Sequence, residues 1–237
     1  MPEVSFDLET SIPDLSLDAF IYTGTTGLGA GAISSLAAKN PAKIFFNGRN
    51  KAKADELISQ VKGTSSTELV FLECDLSSLT SVQQAAKQFL AQSDRLDVLM
   101  CNAGIMATPP AHATAPASGI EFDSLKTPQE SLGPFYQPSK FMRYGQSKLA
   151  NLLYPIELAI RYPSITSVSV HPGFIQTQLL TKGPYNQVWA ATTPKENLKN
   201  GAYYEPFGKL MPPPTKDPAG LAKKLYGWTE QELAAFE

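Results

Sequence analysis

Residues 19–29 read Ala-Phe-Ile-Tyr-Thr-Gly-Thr-Thr-Gly-Leu-Gly. A short apolar run, Ala19 to Thr23, meets three glycines, Gly24, Gly27 and Gly29. An Ala- and Leu-rich stretch at helical spacing follows over residues 30–40 and is stopped by Asn40-Pro41. In the order strand, glycine turn, helix, backbone N–H groups and a helix N-terminus can face a pyrophosphate, and a side chain in the turn would hold the phosphates off the main chain. The same spacing suits a tight turn without any ligand. It is not a P-loop, because Ala30 and Gly31 follow Gly29 where a Lys is required.

Outward from this turn the pattern alternates. Strands are expected at residues 43–47, 68–72 and 96–101, and amphipathic helices at 51–61 and 80–92, with Ser77 or Ser78 able to cap the second. The first 104 residues therefore read β-α-β-α-β-α-β. That alternation predicts an α/β fold with a doubly wound, Rossmann-like parallel sheet in the order 3-2-1-4. The second half is less regular: a long helix over 137–162, a β-branched strand over 165–170, no convincing strand in 105–136, and a closing helix over 218–236. The length of 237 residues suits a single domain, residues 1–237.

Composition narrows the function classes. Apolar residues at 43% and charged residues at 18% place the chain among globular proteins. A net charge of −2 with no long basic block argues against nucleic acid as a partner. No apolar run reaches the ~18 residues that span a bilayer, and residues 1–13 lack the features of a signal peptide, so the expected compartment is the cytoplasm. Two cysteines, Cys74 and Cys101, and two histidines, His112 and His171, make neither a disulfide framework nor a metal site.

Two further features carry chemistry. The second strand ends Asn47-Gly48-Arg49, where a nucleotide fold meets the adenosine ribose. Arg49, with Lys53 one turn on, suits a 2′-phosphate and hence NADP(H). Tyr144 and Lys148, spaced i, i+4, share a helical face. A neighbouring ammonium stabilises phenolate, so such a Tyr can act as general acid in carbonyl reduction and as general base in alcohol oxidation. A surface Tyr and Lys on an amphipathic helix would show the same spacing.

The turn, Gly48-Arg49, Cys74-Asp75-Leu76, Asn102-Ala103-Gly104, Tyr144 to Lys148 and His171-Pro172-Gly173 occur in one order. Together they resemble the short-chain dehydrogenase/reductase family over about residues 12–236. Asn102 to Met106, Tyr144 to Asn151 and Gly201 to Gly208 are most similar to its retinol-dehydrogenase-like branch, frequent in fungal natural-product pathways. The resemblance implies an NADP-dependent oxidoreductase in which Tyr144 donates the proton, while Lys148 lowers its pKa and holds the nicotinamide ribose. It also implies a phosphate turn of Gly24, Gly27, Leu28 and Gly29, Asp75 at adenine, Asn102 on the adenosine ribose side, and Ile175 and Thr177 over the nicotinamide. The implied partner is a small carbonyl or alcohol substrate, and the family often pairs as a homodimer through the YxxxK helix.

Three departures stand against the family pattern. One residue is missing between Gly24 and Gly27. The helix, strand and catalytic Ser expected between Asn102 and Tyr144 are missing around Ala111-His112, so the Ser position falls near Thr108 or Pro109, with Ser131 as a weak replacement. The substrate lid after Thr177 is shortened. The expected fold thus lacks one central strand and the lid. The strand over 165–170 must then pair beside residues 96–101 or leave a gap there, and a catalytically inactive member that binds only nucleotide or a partner is the alternative.

Overall fold

The computed structural model describes residues 6–16, 19–104, 119–130, 132, 139–173 and 184–236. The chain divides into two compact units. One comprises Met1–Ala103, His171–Thr193 and Glu205–Lys209, the other Gly104–Val170, Pro194–Tyr204 and Leu210–Glu237.

The first unit is built on four parallel strands, β1 (Ala19–Thr23), β2 (Lys43–Gly48), β3 (Leu69–Glu73) and β4 (Val98–Met100), in the order β3-β2-β1-β4. This is the expected order. Ile44, Phe45 and Phe46 are consecutive and all fully buried, as a strand covered on both faces must be. On one face, Ile44 and Phe46 pack with Ile33 and Leu36 of α1 (Gly27–Ala37) and Ala54 and Leu57 of α2 (Lys51–Lys62). On the other, Phe45, Leu72 and Cys74 pack with Ala85 and Phe89 of α3 (Leu79–Leu90). Asn50 caps α2 by accepting from the Lys53 N–H at 3.0 Å, and Ser78 caps α3 by accepting from the Ser81 N–H at 3.3 Å. Helix α1 starts three residues earlier than periodicity suggests, because extended Thr26 ends the turn there.

In the second unit α4 (Ser139–Arg161) lies against α6 (Pro218–Leu233), burying Leu149, Leu153, Ala222 and Leu225 together with Ile120 and Phe122. The Glu157 carboxylate, buried on α4, accepts from Arg161 Nε at 2.8 Å, and the guanidinium lies 4.2 Å from the Tyr226 ring centre.

The strand expected over 165–170 shrinks to β5 (Ser169–Val170). Asn200 is the reason: its side chain accepts from the Ser167 N–H at 2.7 Å and donates to the Ile165 carbonyl at 3.0 Å, taking groups a ladder would need. The chain between β5 and β6 contains α5 (Tyr185–Thr192). β5 pairs in parallel with β6 (Tyr203–Glu205), in a three-stranded sheet completed by β7 (Lys209–Met211). β5 therefore lies in a sheet separate from β4. Among the described residues the ladder partner of β4 is β1, and its Leu99 is 57% exposed.

Candidate functional site

Gly24 (φ +108°) and Gly27 (φ +59°) adopt left-handed backbone that the turn requires. The Gly24 N–H donates to the Asn47 carbonyl at 3.0 Å, tying the turn to β2. A Cβ on Gly29 would lie 2.8 Å from Asn102 Nδ2 and 2.9 Å from the Gly24 oxygen, so the turn folds tightly onto its own helix start. A Cβ on Gly48 would lie 2.8 Å from Thr25 Cγ2, so the end of β2 must be bare where the turn crosses it. At Gly27 a Cβ would meet nothing within 4 Å. Thr26, the residue before α1, makes no side-chain cap. The turn is thus closed toward the protein and bare on its outer side. It fits a phosphate group approaching main chain and helix start despite being one residue short.

A buried polar chain fixes this turn. Asn102 Nδ2 donates to the Thr23 carbonyl at 2.8 Å, and Asn102 Oδ1 accepts from Gln187 Nε2 at 2.8 Å. Gln187 Oε1 in turn accepts from the fully buried Tyr22 hydroxyl at 3.3 Å. Burial in apolar surroundings pushes the Tyr22 pKa well above its ordinary value. Thr23 Oγ1 accepts from the Ala103 N–H at 2.7 Å. The preceding residue on α5, Asn186, donates to the His171 carbonyl at 2.7 Å and accepts from the Gly208 N–H at 3.3 Å. Both ends of the Asn102 carboxamide are therefore engaged within the protein. Thr23, Asn186 and Gln187 escaped the sequence reading. Their only signal is polarity, and nothing local marks those positions as buried.

At the carboxyl ends of β2 and β3, Arg49 is exposed and Asp75 is half-buried. Asp75 Oδ1 accepts from Ser77 Oγ at 2.7 Å and from the Ser77 N–H at 2.9 Å. These bonds, helped by the Arg49 charge, hold its carboxyl below the usual range. Exposed Lys53 has its ammonium 2.9 Å from Glu56 on the same helix. Leu28 is half-buried on α1. Ile175, Thr177, Thr108, Pro109 and Ser131 lie outside the described residues.

In the second unit, Tyr144 and Lys148 lie in the early turns of α4, both half-buried, with Lys148 Nζ 5.4 Å from the Tyr144 ring centre. The two side chains share a face, as the spacing required. A Cβ on Gly104 would lie 3.3 Å from Lys148 Nζ, so bare backbone passes close to the ammonium. Desolvation pushes the Lys148 pKa down. Neighbouring Gln146 accepts from the Glu121 N–H at 2.7 Å and donates to Gln129 at 3.2 Å, anchoring segment 121–129 to α4. Among the described residues no helix is long and apolar enough to cross a membrane.

The family model for short chain dehydrogenases matches residues 18–122. A short-chain dehydrogenase/reductase of Armillaria gallica is 29% identical over 289 positions, covering 95% of this chain and 93% of the relative. An uncharacterized oxidoreductase of Schizosaccharomyces pombe is 31% identical over 273 positions, covering 81% and 78%. Both alignments are longer than the 237-residue chain. Among solved structures, an uncharacterized protein from Mycobacterium paratuberculosis has a TM-score of 0.73 at 24% identity, covering 96% of this chain and 97% of its own. A metagenomic short-chain oxidoreductase in complex with NADP has a TM-score of 0.55 at 19% identity, covering 81% and 98%. The parallel sheet with its glycine turn, and relatives alike over most of the chain's length, make this chain a member of the short-chain dehydrogenase/reductase family.

Proposed function

We propose that the chain is an NADP(H)-dependent oxidoreductase interconverting a carbonyl and a primary or secondary alcohol on a small lipophilic metabolite, in the cytosol and in secondary metabolism. The observation that carries this reading is the half-buried Tyr144–Lys148 pair on α4, with Nζ 5.4 Å from the ring centre. The bare outer side of the Gly24–Gly29 turn and the exposed Arg49 support the cofactor choice, as does the NADP complex of the metagenomic oxidoreductase.

A bound nicotinamide supplies or accepts the hydride. The main chain of Gly24, Gly27, Leu28 and Gly29 would hold the phosphates, Arg49 and Lys53 the 2′-phosphate and Asp75 the adenosine half, while Asn102, its carboxamide engaged with Thr23 and Gln187, would hold the turn in place beside the cofactor rather than bind the ribose. Ile175 and Thr177 would cover the nicotinamide. In reduction the Tyr144 hydroxyl gives its proton to the carbonyl oxygen as the alcohol forms, and in oxidation its phenolate takes that proton back. The Lys148 ammonium, 5.4 Å from the Tyr144 ring centre, sets a positive charge beside the phenolate that forms when the proton leaves. The test is NADPH consumption with a panel of ketones and aldehydes, wild type against Tyr144→Phe. Turnover in wild type that is lost in the variant is expected, and equal rates would refute the mechanism.

A second reading has its own observation. The edge of β4 carries Leu99 at 57% exposure, and alignments to relatives outrun the chain. In the family the strand beside β4 brings the carbonyl-polarising Ser. Loss of one such donor typically costs about 10²–10³ in rate. Stoichiometric NADPH binding without turnover on any carbonyl would favour an inactive, nucleotide-binding member.

A further inference from the structure

Helix α5 begins at Tyr185, and the buried Pro184 before it packs on α1, where a Cβ on Gly31 would lie 3.4 Å from its Cγ. The start of α5 is thus set beside the helix that follows the glycine turn. The fully buried Asn186 carboxamide ties two further segments to it, through the His171 carbonyl at 2.7 Å and the Gly208 N–H at 3.3 Å. Those segments follow β5 and β6 in the chain. They also meet each other, since a Cβ on Gly173 would lie 3.0 Å from Pro206 Cγ. All these residues belong to the first unit. The backbone beside Tyr185 and Phe207 is therefore held by a buried amide and close packing. Yet both rings stay half-buried, with centres 6.1 Å apart and planes at 53°, while Trp189 one turn on is buried.

We propose that Tyr185 and Phe207 form an aromatic clamp for the substrate, which makes an aryl ketone or aryl aldehyde the preferred carbonyl. This rests on the oxidoreductase reading above and narrows its lipophilic metabolite to an aromatic one. Open α/β sheets take ligands outside the carboxyl ends of their strands, where the segments beginning at His171 and Pro206 lie. Ile175, assigned above to cover the nicotinamide, is two residues beyond Gly173. The carbonyl carbon must lie against the nicotinamide to take hydride, so the group attached to it is carried toward these segments. Two inclined rings offer a third ring both a face and an edge, the arrangements aromatic groups favour, whereas a saturated ring of the same size gains only burial. Rings on fixed backbone need little ordering when a ligand binds.

The test compares acetophenone with cyclohexyl methyl ketone, which has the same number of carbons. Turnover is followed with NADPH, and binding by calorimetry on the NADP+-saturated protein, where no reduction can occur. The wild type should favour acetophenone in both. Phe207→Leu and Tyr185→Leu should each weaken acetophenone about three- to tenfold, in KM rather than kcat, and leave the saturated ketone nearly unchanged. Phe207→Tyr, which keeps a ring, should keep the preference. Equal handling of the two ketones by the wild type, or Leu variants that lose both alike, overturns the clamp and leaves the oxidoreductase reading standing. Preferential binding of acetophenone with neither ketone reduced supports the clamp and overturns the oxidoreductase reading. A wild type that binds neither ketone overturns the clamp.

Discussion

Replacing Gln187 with Leu removes the link between β1 and the loop after β4 at nearly constant volume. Gln187 Oε1 accepts from Tyr22 at 3.3 Å and its Nε2 donates to Asn102 at 2.8 Å. The substitution therefore orphans two groups. The Tyr22 hydroxyl is fully buried, and leaving it unpaired costs about 1–3 kcal/mol. Asn102 is half-buried, so its oxygen falls near the lower end, about 1 kcal/mol. The sum, about 2–4 kcal/mol, corresponds to a drop in Tm of about 5–15 °C for a chain of this size. Tyr22→Phe alone leaves the buried Gln187 Oε1 without its donor and should likewise cost about 1–3 kcal/mol. In the Gln187→Leu background the same Tyr22→Phe change removes an orphan and should restore stability. Urea unfolding followed by circular dichroism, on the wild type, both single variants and the double variant, measures this coupling. Because Asn102 holds the Thr23 carbonyl beside the glycine turn, NADPH affinity should fall together with stability. Additive costs, with Tyr22→Phe equally harmful in both backgrounds, would refute the reasoning.

Arg49→Asp removes a charge-assisted contact worth about 1.5–3 kcal/mol and sets a second carboxylate toward Asp75. NADPH affinity should fall about 10- to 100-fold, with NADH little changed, and unchanged NADPH titration would remove Arg49 from the site. Lys148→Met should abolish turnover while leaving stability unchanged or raised, since it removes a desolvated ammonium. The folded pKa of Lys148 is lowered, so the unfolded chain binds more protons between that pKa and the ordinary lysine value. Wild-type stability should accordingly gain on the variant as pH rises through this window. Thermal unfolding of both proteins from neutral pH upward checks the sign, and a gap that widens against the wild type would contradict it.

Local pattern determined a good deal of this protein. The run from Ala19 to Gly29 specified strand, turn and helix because glycine conformation and hydrophobic spacing act over a few residues. Alternating apolar runs specified the order β3-β2-β1-β4, since a right-handed crossover leaves few other arrangements. The i, i+4 spacing put Tyr144 and Lys148 on one face of α4 through helical geometry alone. Tertiary structure decided the rest. Gln187 and Asn102 are 85 residues apart, and no spacing announces that their amides meet. The β-branched stretch before β5 looked like a longer strand, but Asn200 captured its main chain from 33 and 35 residues away. Periodicity tells a side chain which face to occupy, whereas the partner it finds there depends on which distant segments close over it and which hydrogen bonds they have already made.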